Sequence, residues 1–169
     1  MRLLDKIDAG FLPLPEFERA VGALPLVSVD WVLLNPAGQM LLGHRRNAPA
    51  RDWWFTPGGR VRKNESLGSC LQRVAASELG LQASDVQGAR LMGVWDHFYE
   101  DSAFSAKVST HYVNLPHVLR LPHALDINAL PSDQHIAWRW QDVHAAAVAD
   151  DVHPYVRVYA QWVVDAGNL

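Results

Sequence analysis

A single cysteine, Cys70, stands in the whole chain, which excludes an internal disulfide and a multi-cysteine zinc cluster. It falls inside a helical pattern that suits small apolar packing, and a reducing, cytoplasmic compartment is its expected home. Long apolar runs are missing as well. The opening "MRLLDKIDAGFLPLPEF" is broken by Asp5, Lys6 and Asp8, so neither a signal peptide nor a membrane span is expected. Charge of one sign is also scarce: the formal net charge is -3, and that balance favours neither nucleic acid nor an anionic membrane as partner. No repeat and no low-complexity segment interrupts the chain.

What is present fits one domain. The chain has 169 residues, 49% of them hydrophobic, enough to bury a core without staples. Residues 1–24 read as an arm, punctuated by Pro13 and Pro15, in which "PEFERAVGAL" makes two to three amphipathic turns. "LVSVDWVLLN", a "PAG" turn and "QMLLGHRR" predict a hairpin, and "NAPARDW" a loop. "WWFTPGGRV" predicts a short strand running into a glycine turn, and 66–79 the one strongly periodic helix. "ARLMGVWDHFYE" and "STHYVNLPHVLRL" are strand-like, "LPSDQHIAWRWQDV" is a loop followed by a short strand, and "HPYVRVYAQWVVDAG" closes the chain as a helix. Irregular alternation of this kind predicts an α/β fold, a mixed sheet sandwiched between helices over residues 25–169. Trp53, Trp54 and Trp95 are expected to pack in the core or an interface.

At about 100° per residue, Leu67, Leu71, Val74 and Ala75 share one stripe of the helix, with Glu78 near its centre. A carboxylate there is half of an internal ion pair, a metal ligand, or a group on a last turn that overhangs the core. The preceding "PGG" lets backbone approach a phosphate or a cation without a Cβ in the way. Together they describe one wall of a phosphate–Mg²⁺ site.

"GGRVRKNESLGSCLQRVAASELGL" resembles the Nudix box, G-x5-E-x7-R-E-U-x-E-E-x-G-U, with Gly59, Glu65, Arg73, Glu78, Gly80 and Leu81 at the expected spacings. Val74 and Ser77 stand where the box carries glutamates. "PLVSVD", "LLGHRRN", "WFTPGGRV", "GVWDHFY", "THYV" and "DQHIAWRW" extend the resemblance, in order, to the GDP-mannose mannosyl hydrolase branch of that family. The resemblance implies water attack on the sugar C1 of GDP-mannose or GDP-glucose, with inversion, releasing GDP. Such chemistry needs one cation and arginines at the leaving diphosphate, so fewer carboxylates suffice.

Residue by residue, the resemblance implies Mg²⁺, with Mn²⁺ as a substitute, held by the Gly58 carbonyl, Glu78 and Gln134. It implies His135 as general base, Arg45 and Arg60 at the diphosphate, and Asp30 at the sugar and the transition state. Tyr112 is carried over as catalytic, and His97 as a sugar or leaving-group contact. Arg73 is either a phosphate contact or a surface salt bridge, and Arg46 an ordinary surface charge. Leu12 and Phe17 of the arm match residues that contact nucleotide across a homodimer. Two alternatives stay open: a Nudix diphosphatase attacking phosphorus, and a non-catalytic nucleotide-sugar sensor.

Overall fold

A computed structural model describes residues 12–167. The part of the arm before Leu12 lies outside the described residues. The remainder forms a helix, α1 (Leu14–Ala23), with Pro13 at its N-cap and Pro15 in its first turn, where a missing N–H removes one donor that has no partner within the helix. The predicted hairpin is present as β1 (Leu26–Leu34) and β2 (Gln39–Arg45). Its turn is closed by Asn35, whose Oδ1 accepts from the backbone of Ala37 and Gln39 at 3.0 Å each.

After two short strands, β3 (Trp54–Phe55) and β4 (Gly58–Arg60), comes the periodic helix α2 (Leu67–Leu79). Ser66 caps it by accepting from Ser69 N. Gly80 ends it in the left-handed region at φ 67°, which bends the chain so that Leu81 N reaches Ala75 O. The strand-like stretch after it splits into β5 (Arg90–Leu91) and β6 (Trp95–Tyr99), followed by the long β7 (Thr110–Arg120). β8 (His135–Asp142) follows a loop, then α3 (Val143–Val148), which the sequence pattern does not signal, and the closing helix α4 (Pro154–Asp165).

The eight strands form one mixed sheet. β1 is central, parallel to β7 over nine residue pairs and antiparallel to β2 and β4, while β8 extends the sheet beyond β2 and β6 pairs with β7. Period-two alternation sends Val29, Trp31 and Leu33 to the face covered by α2, and Val32 and Leu34 to the face covered by α4. Helices therefore lie on both faces, as predicted.

One expectation about α2 is corrected. Its buried residues are Cys70, Val74, Ala75 and Leu79, whereas Leu67 is 46% exposed and Leu71 half-buried. Leu67 is the first residue of the helix, and in that first turn its place on the stripe stays exposed. Of the three tryptophans, Trp95 and Trp54 pack on the α4 core, Trp54 also lying under the Arg139 guanidinium, and Trp53 meets His153 edge-on. Among the described residues no helix is long and apolar enough to cross a membrane.

Candidate active site

A cleft of about 410 Å³ opens where β4 pairs with the start of β1 and the end of α2 comes alongside. Register decides what faces it. Cross-strand pairs Ser28–Arg60 and Asp30–Gly58, the parallel pair Ser28–Asn114, and the pair His97–Tyr112 put these side chains on one face of four adjacent strands. All of them line the cleft, with Arg45, Arg73, Glu78 and Gln134 around its rim. Nine of the twelve residues named from the sequence are thus brought together.

The floor is polar and buried. Tyr159, from α4, sets its hydroxyl among three groups: Asp30 Oδ2 at 2.9 Å, Asn114 Oδ1 at 2.9 Å and His97 Nε2 at 3.0 Å. Asn114 is oriented in turn by donating its Nδ2 to Ser28 Oγ at 2.8 Å. Burial pushes the Asp30 carboxyl up from 3.8 to about 7, against the lowering effects of the Tyr159 hydrogen bond and the Arg45 charge. Burial also pushes the His97 imidazole down to about 3, so its ring is neutral at every working pH. Tyr112 is raised by burial and stays a phenol. Tyr159 and Asn114 have no counterpart in the sequence reading. The apolar periodicity of α4 makes Tyr159 look like packing, and only the fold shows that its hydroxyl meets Asp30.

The wall opposite is basic. Arg45 and Arg60 both face the cleft. Arg60 lays its guanidinium over the Phe17 ring at 4.2 Å, and Phe17 meets Phe104 edge-on at 5.0 Å. Phe17 thus touches the site through Arg60, from its own chain, while Leu12 is half-exposed and outside the cleft. Of the two roles left open for Arg73, the structure shows the ion pair, made with Glu65. Arg73 lines the cleft, yet its guanidinium donates to both Glu65 oxygens at 2.7 and 2.9 Å and to the Arg60 carbonyl at 2.9 Å. That fork holds Glu65 down to about 2 and ties the helix to β4.

Glu78 is the carboxylate that α2 turns toward the cleft, its side chain 14% exposed. Val74, in a glutamate position of the box pattern, is buried in the core against Gly59, and Ser77 brings only a hydroxyl. Glu78's hydrogen-bond partner among the described residues is His135, whose Nε2 lies 3.4 Å from Oε2. Contrary to the loop placement, His135 is the first residue of β8 and 1% exposed. Its ring packs on Gly43, where any Cβ would collide with it, and its Nδ1 is buried without a partner. Arg46 N fixes the neighbouring carbonyl of Gln134 at 3.0 Å, leaving the Gln134 side chain on the rim.

The donor set suits a single hard cation. Among the described residues no three His, Cys, Asp or Glu side chains converge; of the carboxylates in the cleft Asp30 is buried and held by Tyr159, which leaves Glu78 and Asp133 with neutral oxygens as candidates. Trp31 N bonds to Pro57 O and Val61 N to Val27 O, which makes Asp30–Gly58 a non-bonded pair of the ladder. The Gly58 carbonyl therefore points off the ladder, on the same side as the Arg60 carbonyl that Arg73 takes from α2. That is the side from which Glu78 comes.

The family model described as the NUDIX domain matches residues 24–163. The low-salt glycan biosynthesis protein Agl8 of Haloferax volcanii is 38% identical over 148 residues, 88% of each chain. Among solved structures, the MutT protein from Methanosarcina mazei Go1 superposes with a TM-score of 0.67 at 18% identity, over 87% of this chain and 99% of that one. The NUDIX domain of Shewanella oneidensis NrtR, solved with ADP ribose, gives 0.65 at 14% identity, over 93% of this chain and all of that one. At such identities the likeness is one of fold.

Proposed function

The chain belongs to the NUDIX domain family, and from that premise we propose that it hydrolyses a GDP-hexose, GDP-mannose or GDP-glucose, by water attack at the sugar C1 with inversion. Nudix hydrolases act on small molecules with divalent cations such as Mg²⁺ or Mn²⁺. The observation that carries the finer reading is the single helix carboxylate in the cleft. Glu65 is occupied by Arg73, Val74 is core and Ser77 is neutral, so Glu78 alone is available from the helix. Attack on phosphorus draws on several gathered carboxylates, whereas departure of a diphosphate draws on positive charge, which Arg45 and Arg60 supply. The relative in glycan biosynthesis supports a sugar-bearing substrate.

In this reading Glu78, Gln134 and the Gly58 carbonyl hold Mg²⁺, which would neutralise charge growing on the leaving diphosphate. The floor of Asp30, His97 and Asn114 receives the sugar, and Tyr112 completes that wall. His135 serves as base in this reading, its Nε2 beside the Glu78 carboxylate at 3.4 Å. A homodimer belongs to the same reading.

Hydrolysis of GDP-mannose and GDP-glucose in ¹⁸O-water tests it. Label in the free hexose supports attack on carbon. Label in phosphate overturns it and makes the chain a Nudix diphosphatase, and the absence of turnover across a panel of nucleotide sugars makes it a sensor.

A further inference from the structure

We propose that Tyr159 is a positioning residue that fixes His97 as the Nε2–H tautomer, so that His97 Nδ1 presents a hydrogen-bond acceptor to a hydroxyl group of the ligand. The inference deepens the reading of the floor as a sugar subsite and rests on it for the identity of the ligand.

The argument is a count of hydrogens. A phenol has one hydrogen to donate and lone pairs that accept. The Tyr159 oxygen has three partners at 2.9–3.0 Å. Asn114 Oδ1 can only accept, because the amide nitrogen is turned the other way onto Ser28 Oγ. The single phenolic hydrogen therefore goes to Asn114, or to Asp30 when that carboxyl is ionised. In neither case is one left for His97, and the contact at 3.0 Å is a hydrogen bond only if His97 Nε2–H donates to the phenol. The conclusion holds for either state of Asp30.

A neutral imidazole with its hydrogen on Nε2 has a lone pair on Nδ1. Among the described residues His97 Nδ1 has no hydrogen-bond partner, and the residue, itself buried, lines the cleft. Tyr155, one turn before Tyr159 on α4, lies parallel to the ring with centroids 3.9 Å apart and fixes its plane. The floor thus offers a fixed acceptor, the complement of a donating hydroxyl and a poor match for a phosphate oxygen. Specificity of this kind is strong, since a ligand lacking the hydroxyl leaves Nδ1 unpaired.

The test uses ¹⁵N-histidine-labelled protein, the wild type and Tyr159→Phe, which keeps the ring. In the wild type the His97 nitrogens should show hydrogen on Nε2 and none on Nδ1; hydrogen on Nδ1 overturns the proposal without any variant. Tyr159→Phe should mix the tautomers and raise KM for the GDP-hexose roughly threefold to tenfold, with GDP affinity by calorimetry unchanged. A variant with wild-type tautomer and KM overturns it, as does an equal loss of GDP affinity, which a merely structural role would give. If the tautomers shift as expected while neither protein binds or turns over GDP-hexoses, the sugar reading fails and the positioning role of Tyr159 stands.

Discussion

The imidazole of His135 is seated on the bare backbone of Gly43, and its Nε2 reaches Glu78 Oε2 at 3.4 Å. β8 and β2 are paired there across a register shift between His44 and Arg45, which opens the space the ring fills. A methyl group at position 43 occupies that space. Gly43→Ala should lower stability by about 1–3 kcal/mol, measured by urea unfolding. A variant as stable as the parent would mean that the ring does not sit there.

His135→Gln tests the base assigned to the same residue. Glutamine still donates to Glu78 but cannot take a proton, so kcat should fall by about 10²–10⁴ with KM little changed. Undiminished turnover removes His135 from the chemistry and leaves it as a support for Glu78.

Removal of the cation should abolish activity. Chelation followed by addition of Mg²⁺ should restore the parent enzyme fully, and Glu78→Gln should need at least about tenfold more Mg²⁺ for half-maximal rate, since one of few charged donors is gone. A Glu78→Gln protein with the parent's Mg²⁺ dependence would place the cation elsewhere.

The outline of this cleft was legible in the sequence because its parts come in register-bearing strands and one capped helix. "VSVDW", "PGGR" and "THYV" alternate correctly, and alternation alone delivers Asp30, Arg60 and Tyr112 to one face. Where the reading failed, the cause was contact between distant segments. Leu67 looks buried by angle, yet as the first residue of α2 it stays exposed. Nothing around "SDQH" in the sequence signals that residue 135 is buried, because its seat is a glycine in another strand. Tyr159 is hidden in an apolar helix, where the pattern reports packing and is silent about a hydroxyl.

The pair of Glu65 and Arg73 should be visible in acid unfolding. The Glu65 carboxyl falls from 4.5 in the unfolded chain to about 2 in the folded one, chiefly through its hydrogen bonds with Arg73. A depressed carboxylate adds stability that is present above pH 4.5 and is lost as the pH falls from there toward 2. Glu65→Gln should be less stable than the parent at pH 6, with the gap closing over that window. A gap that does not change with pH would assign the effect to packing.

Asp30 gives the opposite sign. Its carboxyl rises from 3.8 to about 7 on folding, because burial disfavours the charge more than Tyr159 and Arg45 favour it. The folded state then holds a proton that the unfolded state has released, so the contribution is full below pH 3.8 and is lost as pH climbs to about 7. Asn keeps the size and can donate its amide to the Tyr159 oxygen, as the protonated carboxyl does, without ever ionising. In metal-free protein, Asp30→Asn should match the parent at pH 4 and exceed its stability at pH 8, by a few kcal/mol at most on the order-of-magnitude scale of such shifts. The same variant should lose turnover, since a carboxylate that can ionise beside the sugar is what the positive charge developing at C1 requires. Gain in stability with loss of activity would identify Asp30 as a group kept for function at the expense of the fold, and a variant less stable than the parent at pH 8 would refute the account of the floor.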